Sequence, residues 1–117
     1  MKIRIKGNSL RYRLTRSDIA ALVKDGYLQE NTAFVNQTLI YAIKVKETEQ
    51  LEAEFINHQI TLFISKAMVQ ELAATEKVGF SHQGDPLYLL IEKDFTCLDN
   101  VEEDQSDNFP NPLAVTN

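Results

Sequence analysis

Lys2-Ile3-Arg4-Ile5-Lys6-Gly7-Asn8-Ser9-Leu10-Arg11-Tyr12-Arg13-Leu14-Thr15 alternates charged with apolar side chains on both sides of one Gly-Asn pair. A strand with one buried face requires a period of two, and a short Gly-Asn break between two such runs is a hairpin signal. The stretch predicts a β-hairpin whose apolar face is Ile3, Ile5, Leu10, Tyr12 and Leu14. Lys2, Arg4, Lys6, Arg11 and Arg13 then share the opposite, strongly cationic face. Thr15 stands where a helix N-cap belongs, with Asp18 as its capping-box partner and Ile19, Leu22 and Val23 at helical spacing. Gly26 supplies the left-handed residue that stops the helix.

Tyr27 to Phe34 is a weaker strand candidate, and after an Asn36-Gln37 turn Leu39, Tyr41, Ile43 and Val45 alternate clearly. The first half, residues 1–46, therefore reads ββαββ. The second half, residues 51–93, repeats the plan. Leu51, Ala53 and Phe55 alternate, Asn57-His58 turns the chain, and Ile60, Leu62 and Ile64 alternate again. Ser65 caps a second helix with Val69 and Leu72 on its apolar side. Strands are expected at Lys77 to His82 and at Leu87 to Lys93, joined by Gly84-Asp85-Pro86. A shift of fifty positions places Leu10 on Ile60, Tyr12 on Leu62, Leu14 on Ile64 and Thr15 on Ser65. The expected fold is α+β and mainly β: two ββαββ units packed about a pseudo-twofold axis, as a barrel-like or hairpin-sheet domain with two short helices.

Of the 117 residues, 44% are hydrophobic and 25% charged, the balance of a globular chain rather than a disordered or membranous one. Residues 1–95 are expected to form one globular domain, followed by an acidic, Pro-containing tail over 96–117. The opening Met1 to Lys6 alternates charge with isoleucine, unlike a secretory signal, so a cytoplasmic location is expected. One cysteine, Cys97, allows no intramolecular disulfide and no four-cysteine zinc site. The formal charge of −5 hides a division. Residues 1–26 hold seven Lys/Arg against two Asp/Glu, and the remainder five against fifteen. Such polarity fits either recognition of an anion by the basic end or mutual attraction of the two ends.

The tail carries Asp99, Glu102, Glu103, Asp104 and Asp107 without a single Lys or Arg. It lacks the glycine and the ligand offsets of a calcium loop, so no metal and no cofactor are expected. Phe95, Leu98 and Phe109 are its apolar anchors, and Phe95 is expected to be buried. Asp94 and Asp99 flank Cys97 and disfavour a thiolate, and neither His58 nor His82 is brought to it by any motif. Glu52 with Glu54, and Glu92 with Asp94, share strand faces but read as solvent-side charge rather than a catalytic pair. Glycine-rich phosphate loops and hydrolase motifs are absent from the sequence. A non-enzymatic binding or adaptor protein with a protein partner is the first expectation, and nucleic-acid binding through the basic hairpin the second.

The Lys6-Gly7-Asn8-Ser9-Leu10 turn, followed by an alternating strand, a cap and a short helix, resembles the swapped-hairpin regulators and antitoxins of the AbrB/MazE type. That resemblance spans the first hairpin and helix, with Thr15 where those proteins usually carry proline. It implies a ββαββ arrangement and DNA contacts at Arg4, Lys6, Arg11, Arg13 and Arg16. A broader resemblance rests on Lys6-Gly7-Asn8-Ser9, on Glu92-Lys93-Asp94-Phe95-Thr96-Cys97-Leu98 and on Phe109-Pro110-Asn111-Pro112. In these the whole chain is similar to an uncharacterised family of small bacterial proteins, a domain of unknown function, which implies a bacterial setting and no particular activity.

Overall fold

The computed structural model describes residues 1–95. The Cys97 thiol, the acidic run and the anchors Leu98 and Phe109 lie outside the described residues. Ten elements follow in the order ββαββββαββ: β1 (Lys2–Lys6), β2 (Ser9–Leu14), α1 (Arg16–Asp25), β3 (Tyr27–Ala33), β4 (Thr38–Val45), β5 (Glu52–Ile56), β6 (Gln59–Ile64), α2 (Lys66–Ala74), β7 (Gly79–Gln83) and β8 (Tyr88–Lys93). Each half is thus ββαββ, and β1, β2 and the start of α1 recur in β5, β6 and α2 at a spacing of fifty residues.

Both leading hairpins turn on two residues. In the first, Gly7 has φ 53°, and in the second Asn57 and His58 have φ 51° and 65°. Two-residue hairpins need this left-handed backbone because its twist matches that of the strands. The second half therefore turns without glycine, with both residues left-handed, where the first uses a single left-handed glycine.

The strands form two four-stranded sheets, β1-β2-β8-β7 and β3-β4-β6-β5. Each sheet takes one hairpin from each half, joined at its centre by a parallel pair: β2 with β8, Leu10 beside Leu89 and Tyr12 beside Ile91, and β4 with β6, Ile43 beside Leu62. The sheets do not close into a barrel, so the hairpin-sheet arrangement is the one adopted. The chain passes between sheets only through α1 and α2, so helices rather than continuous strand pairing make both crossings. β7 begins at Gly79, two residues later than the alternation suggests. It runs so close to β8 there that a Cβ at position 79 would collide with the Ile91 carbonyl.

One core lies between the sheets and the helices, built from Leu10, Tyr12, Leu14, Ile43, Leu62, Ile64 and Ile91 of the strands and Ile19, Leu22, Val69 and Leu72 of the helices. Tyr12 is fully buried. Its ring meets Tyr41 of the other sheet edge-on at 6.5 Å, and its hydroxyl donates to the Ile60 carbonyl at 3.3 Å. Burial pushes this phenol far above its ordinary pKa, so it stays a neutral donor. Ile5, expected on the buried face, is 59% exposed, because the hairpin ends extend past the core: Phe34, Val35, Phe55 and Ile56 are exposed beside their turns as well. Phe95 also departs from expectation, being 60% exposed at the rim of a cleft rather than buried. No helix of the described residues is long and apolar enough to cross a membrane.

α1 is fixed at its start by a reciprocal cap. The Thr15 N–H donates to Asp18 Oδ2 at 2.8 Å, and the Asp18 N–H donates to Thr15 Oγ1 at 3.2 Å. The Met1 ammonium lies 2.8 Å from the same carboxylate and ties β1 to the helix. Burial alone would raise the Asp18 pKa, but the ammonium and the Thr15 N–H and hydroxyl outweigh it and hold the carboxyl below its ordinary value. A carboxyl depressed in the folded state stabilises above its unfolded pKa, and that stability is lost as pH falls toward the folded value. Asp18→Ala should cost about 2 kcal/mol in denaturant melts at neutral pH. The gap to the parent protein should close as pH falls below about 4.

Candidate basic face and its counter-charges

Strand alternation places Lys2, Arg4 and Lys6 of β1 and Arg11 and Arg13 of β2 on the outer face of the first sheet, as their sequence pattern requires. In the antiparallel register Arg4 lies opposite Arg11 and Lys2 opposite Arg13. Like charges directly opposite one another repel, so this face needs anions to hold its shape. The parallel pairing of β2 with β8 brings them. Glu92 sits beside Arg13 in register, and its Oε1 lies 3.0 Å from Arg13 Nε and 2.9 Å from Arg11 Nε. Asp94, just past β8, reaches Lys2 Nζ at 3.0 Å.

Four of the five expected contact residues, Arg4, Lys6, Arg11 and Arg13, therefore stand together with Lys2, and Glu92 and Asp94 stand among them. The fifth, Arg16, does not join them. It opens α1 and lines a cleft of about 790 Å³ whose other polar lining residues are Thr75, Lys93 and Asp94 and whose apolar lining includes Leu14, Ile19 and Leu72. Lys93 is engaged there with the end of α2, donating to the Thr75 carbonyl at 2.9 Å.

Glu92 and Asp94 do share a face, as period two dictates, but their role as counter-ions was not legible from it. Glu92 and Arg13 are 79 residues apart, and only the parallel strand order makes them neighbours. Glu52 has a similar local duty, accepting from Lys46 Nζ at 2.9 Å and Thr48 Oγ1 at 2.8 Å, which lowers its carboxyl pKa. His58 is an exposed turn residue and His82 lies on β7. No group of three or more His, Cys, Asp or Glu among the described residues is placed to hold a metal ion.

Glu92→Gln removes the anion shared by two guanidiniums, the mostly covered Arg11 and the more exposed Arg13. It should lower stability by about 1 kcal/mol, with a larger loss at low salt than at high salt in thermal unfolding. No curated protein and no solved structure matches the chain. A model of a family of unknown function, DUF7009, matches residues 1–113, and the chain belongs to that family.

Proposed function

We propose that this chain is a non-enzymatic binding protein that takes an acidic, extended segment of a protein partner along the edge of β1. One observation carries this reading: β1 is the outermost strand of its sheet, with only β2 beside it among the described residues, and it carries Lys2, Arg4 and Lys6 along one side. An edge strand offers backbone N–H and C=O groups to an added strand, and alternate side chains then select the partner by charge. Five cations against Glu92 and Asp94 leave that side of the sheet with a net charge of +3. The carboxylates nearest to it are committed to ion pairs, which favours a structural over a catalytic use for them. We further read the two halves as a duplicated unit, on their common element order, and the setting as the bacterial cytoplasm, on the resemblance to small bacterial proteins and the lone cysteine.

Nucleic-acid binding through Arg4, Lys6, Arg11, Arg13 and Arg16 is the second reading, favoured by the gathering of four of these on one face. Glu92 and Asp94 oppose it, since both would meet phosphates. A fluorescein-labelled peptide of alternating Glu and Val should bind the full-length protein at low salt. Arg4→Glu combined with Lys6→Glu should weaken that binding more than about tenfold. Equal binding by the double variant would overturn the first reading. A labelled random duplex that binds more tightly than the peptide, with affinity falling steeply as salt rises, would establish the second.

A further inference from the structure

The two leading hairpins carry opposite charge at positions fifty residues apart. Lys2 and Arg4 of β1 correspond to Glu52 and Glu54 of β5. Both are outermost strands, β1 beside β2 and β5 beside β6. Charges on an edge strand ordinarily discourage pairing, because identical edges meet with like charges opposed. Here the signs are segregated by edge. β1 holds Lys2, Arg4 and Lys6 and no acid, and β5 holds Glu52 and Glu54 and no base. Two β1 edges repel, two β5 edges repel, and β1 attracts β5.

The two edges lie on opposite flanks. The Met1 ammonium is 4.0 Å from the Glu30 carboxylate on β3, which sets β1 over β3. β7 and β5 are the other edges of the same two facing sheets, so they form the other flank. β1 therefore cannot pair with β5 of its own chain, and between chains the contact is head-to-tail, leaving one β1 and one β5 unsatisfied at the ends.

We infer that a second copy of this chain is a partner for the β1 edge, β1 of one molecule adding antiparallel to β5 of the next to build open chains. This deepens the binding reading and rests on it. With Arg4 opposite Glu54, Lys6 falls opposite Glu52, Ile3 opposite Phe55 and Ile5 opposite Ala53, giving two charge pairs and two apolar pairs in one register, while Lys2 at the strand end falls opposite Ile56 and keeps its Asp94 partner. Ile5 and Phe55, at 59% and 68% exposure, gain cover from that contact. The same approach, with the second molecule turned end for end, sets β3 of the first beside β7 of the second.

Sedimentation velocity on the full-length protein at low ionic strength tests this. The average mass should climb with concentration beyond twice the monomer and return to the monomer as salt screens the edges. Arg4→Glu and Glu54→Lys should each weaken the association more than about tenfold, and the two together in one chain should restore it. A monomer at every concentration, assembly that survives Glu54→Lys, or a double variant no better than the singles would each overturn the inference. The peptide titration separates its failure from that of the parent reading: a monomeric protein that still binds the Glu-Val peptide through Arg4 and Lys6 retains the edge-binding function with a different partner, and one that does not loses both.

Discussion

The parallel pairing of β2 with β8 and of β4 with β6 is the constraint from which the rest of the structure follows. Without it each ββαββ half would be two hairpins and a helix with an uncovered apolar face, and a lone two-stranded hairpin is at best marginal in water. Joining one hairpin from each half through a central parallel pair gives two sheets whose inner faces meet across Tyr12 and Tyr41. The helices then cover the end of the sandwich where the chain changes sheet, and Leu22, Val69 and Leu72 complete the core there.

Local structure was legible because its signals are local. Gly7-Asn8 between two alternating runs, Thr15 with Asp18, Ser65 before Val69, and Gly26 after Leu22 all act within a few residues, and each does in the fold what its chemistry predicts. What period two cannot show is how far a strand outruns the sheet opposite, and so Ile5 was expected on a buried face and lies exposed. Nor does periodicity name a strand's neighbour. The conversion of Glu92 and Asp94 from solvent-side charges into the counter-ions of Arg11, Arg13 and Lys2 depends wholly on which strand lies beside β2. The basic residues were visible as a set, and the degree to which they are neutralised was not. Arg16 shows the same limit from the other side: it is near Arg13 in sequence, but the cap at Thr15 turns the chain into α1 and carries it to a different surface.

Electrostatics divides the molecule in a way the net charge conceals. At equivalent places in the two halves the basic strand β1 answers the acidic strand β5, while Lys46 beside Glu52 and Asp94 beside Lys2 repeat the arrangement locally with the signs exchanged. A backbone plan used twice thus presents two chemically unlike edges. Similar shape with opposite charge lets each edge favour the other and reject an edge of its own kind.

The interleaved sheets also set the order in which the polypeptide can be completed. Residues 9–14 find their parallel neighbour only in residues 88–93, so a ribosome must synthesise nearly the whole described chain before the first sheet can close. Pairings of such sequence separation slow folding and leave nascent strands uncovered meanwhile. Through that interval the emerging amino-terminal hairpin presents Leu10, Tyr12 and Leu14 to solvent on one side and a dense row of cations on the other. Like charge on those rows disfavours pairing between two such uncovered hairpins at contact distance, so the same residues that give the finished edge its charge also oppose mispairing before the sheet closes.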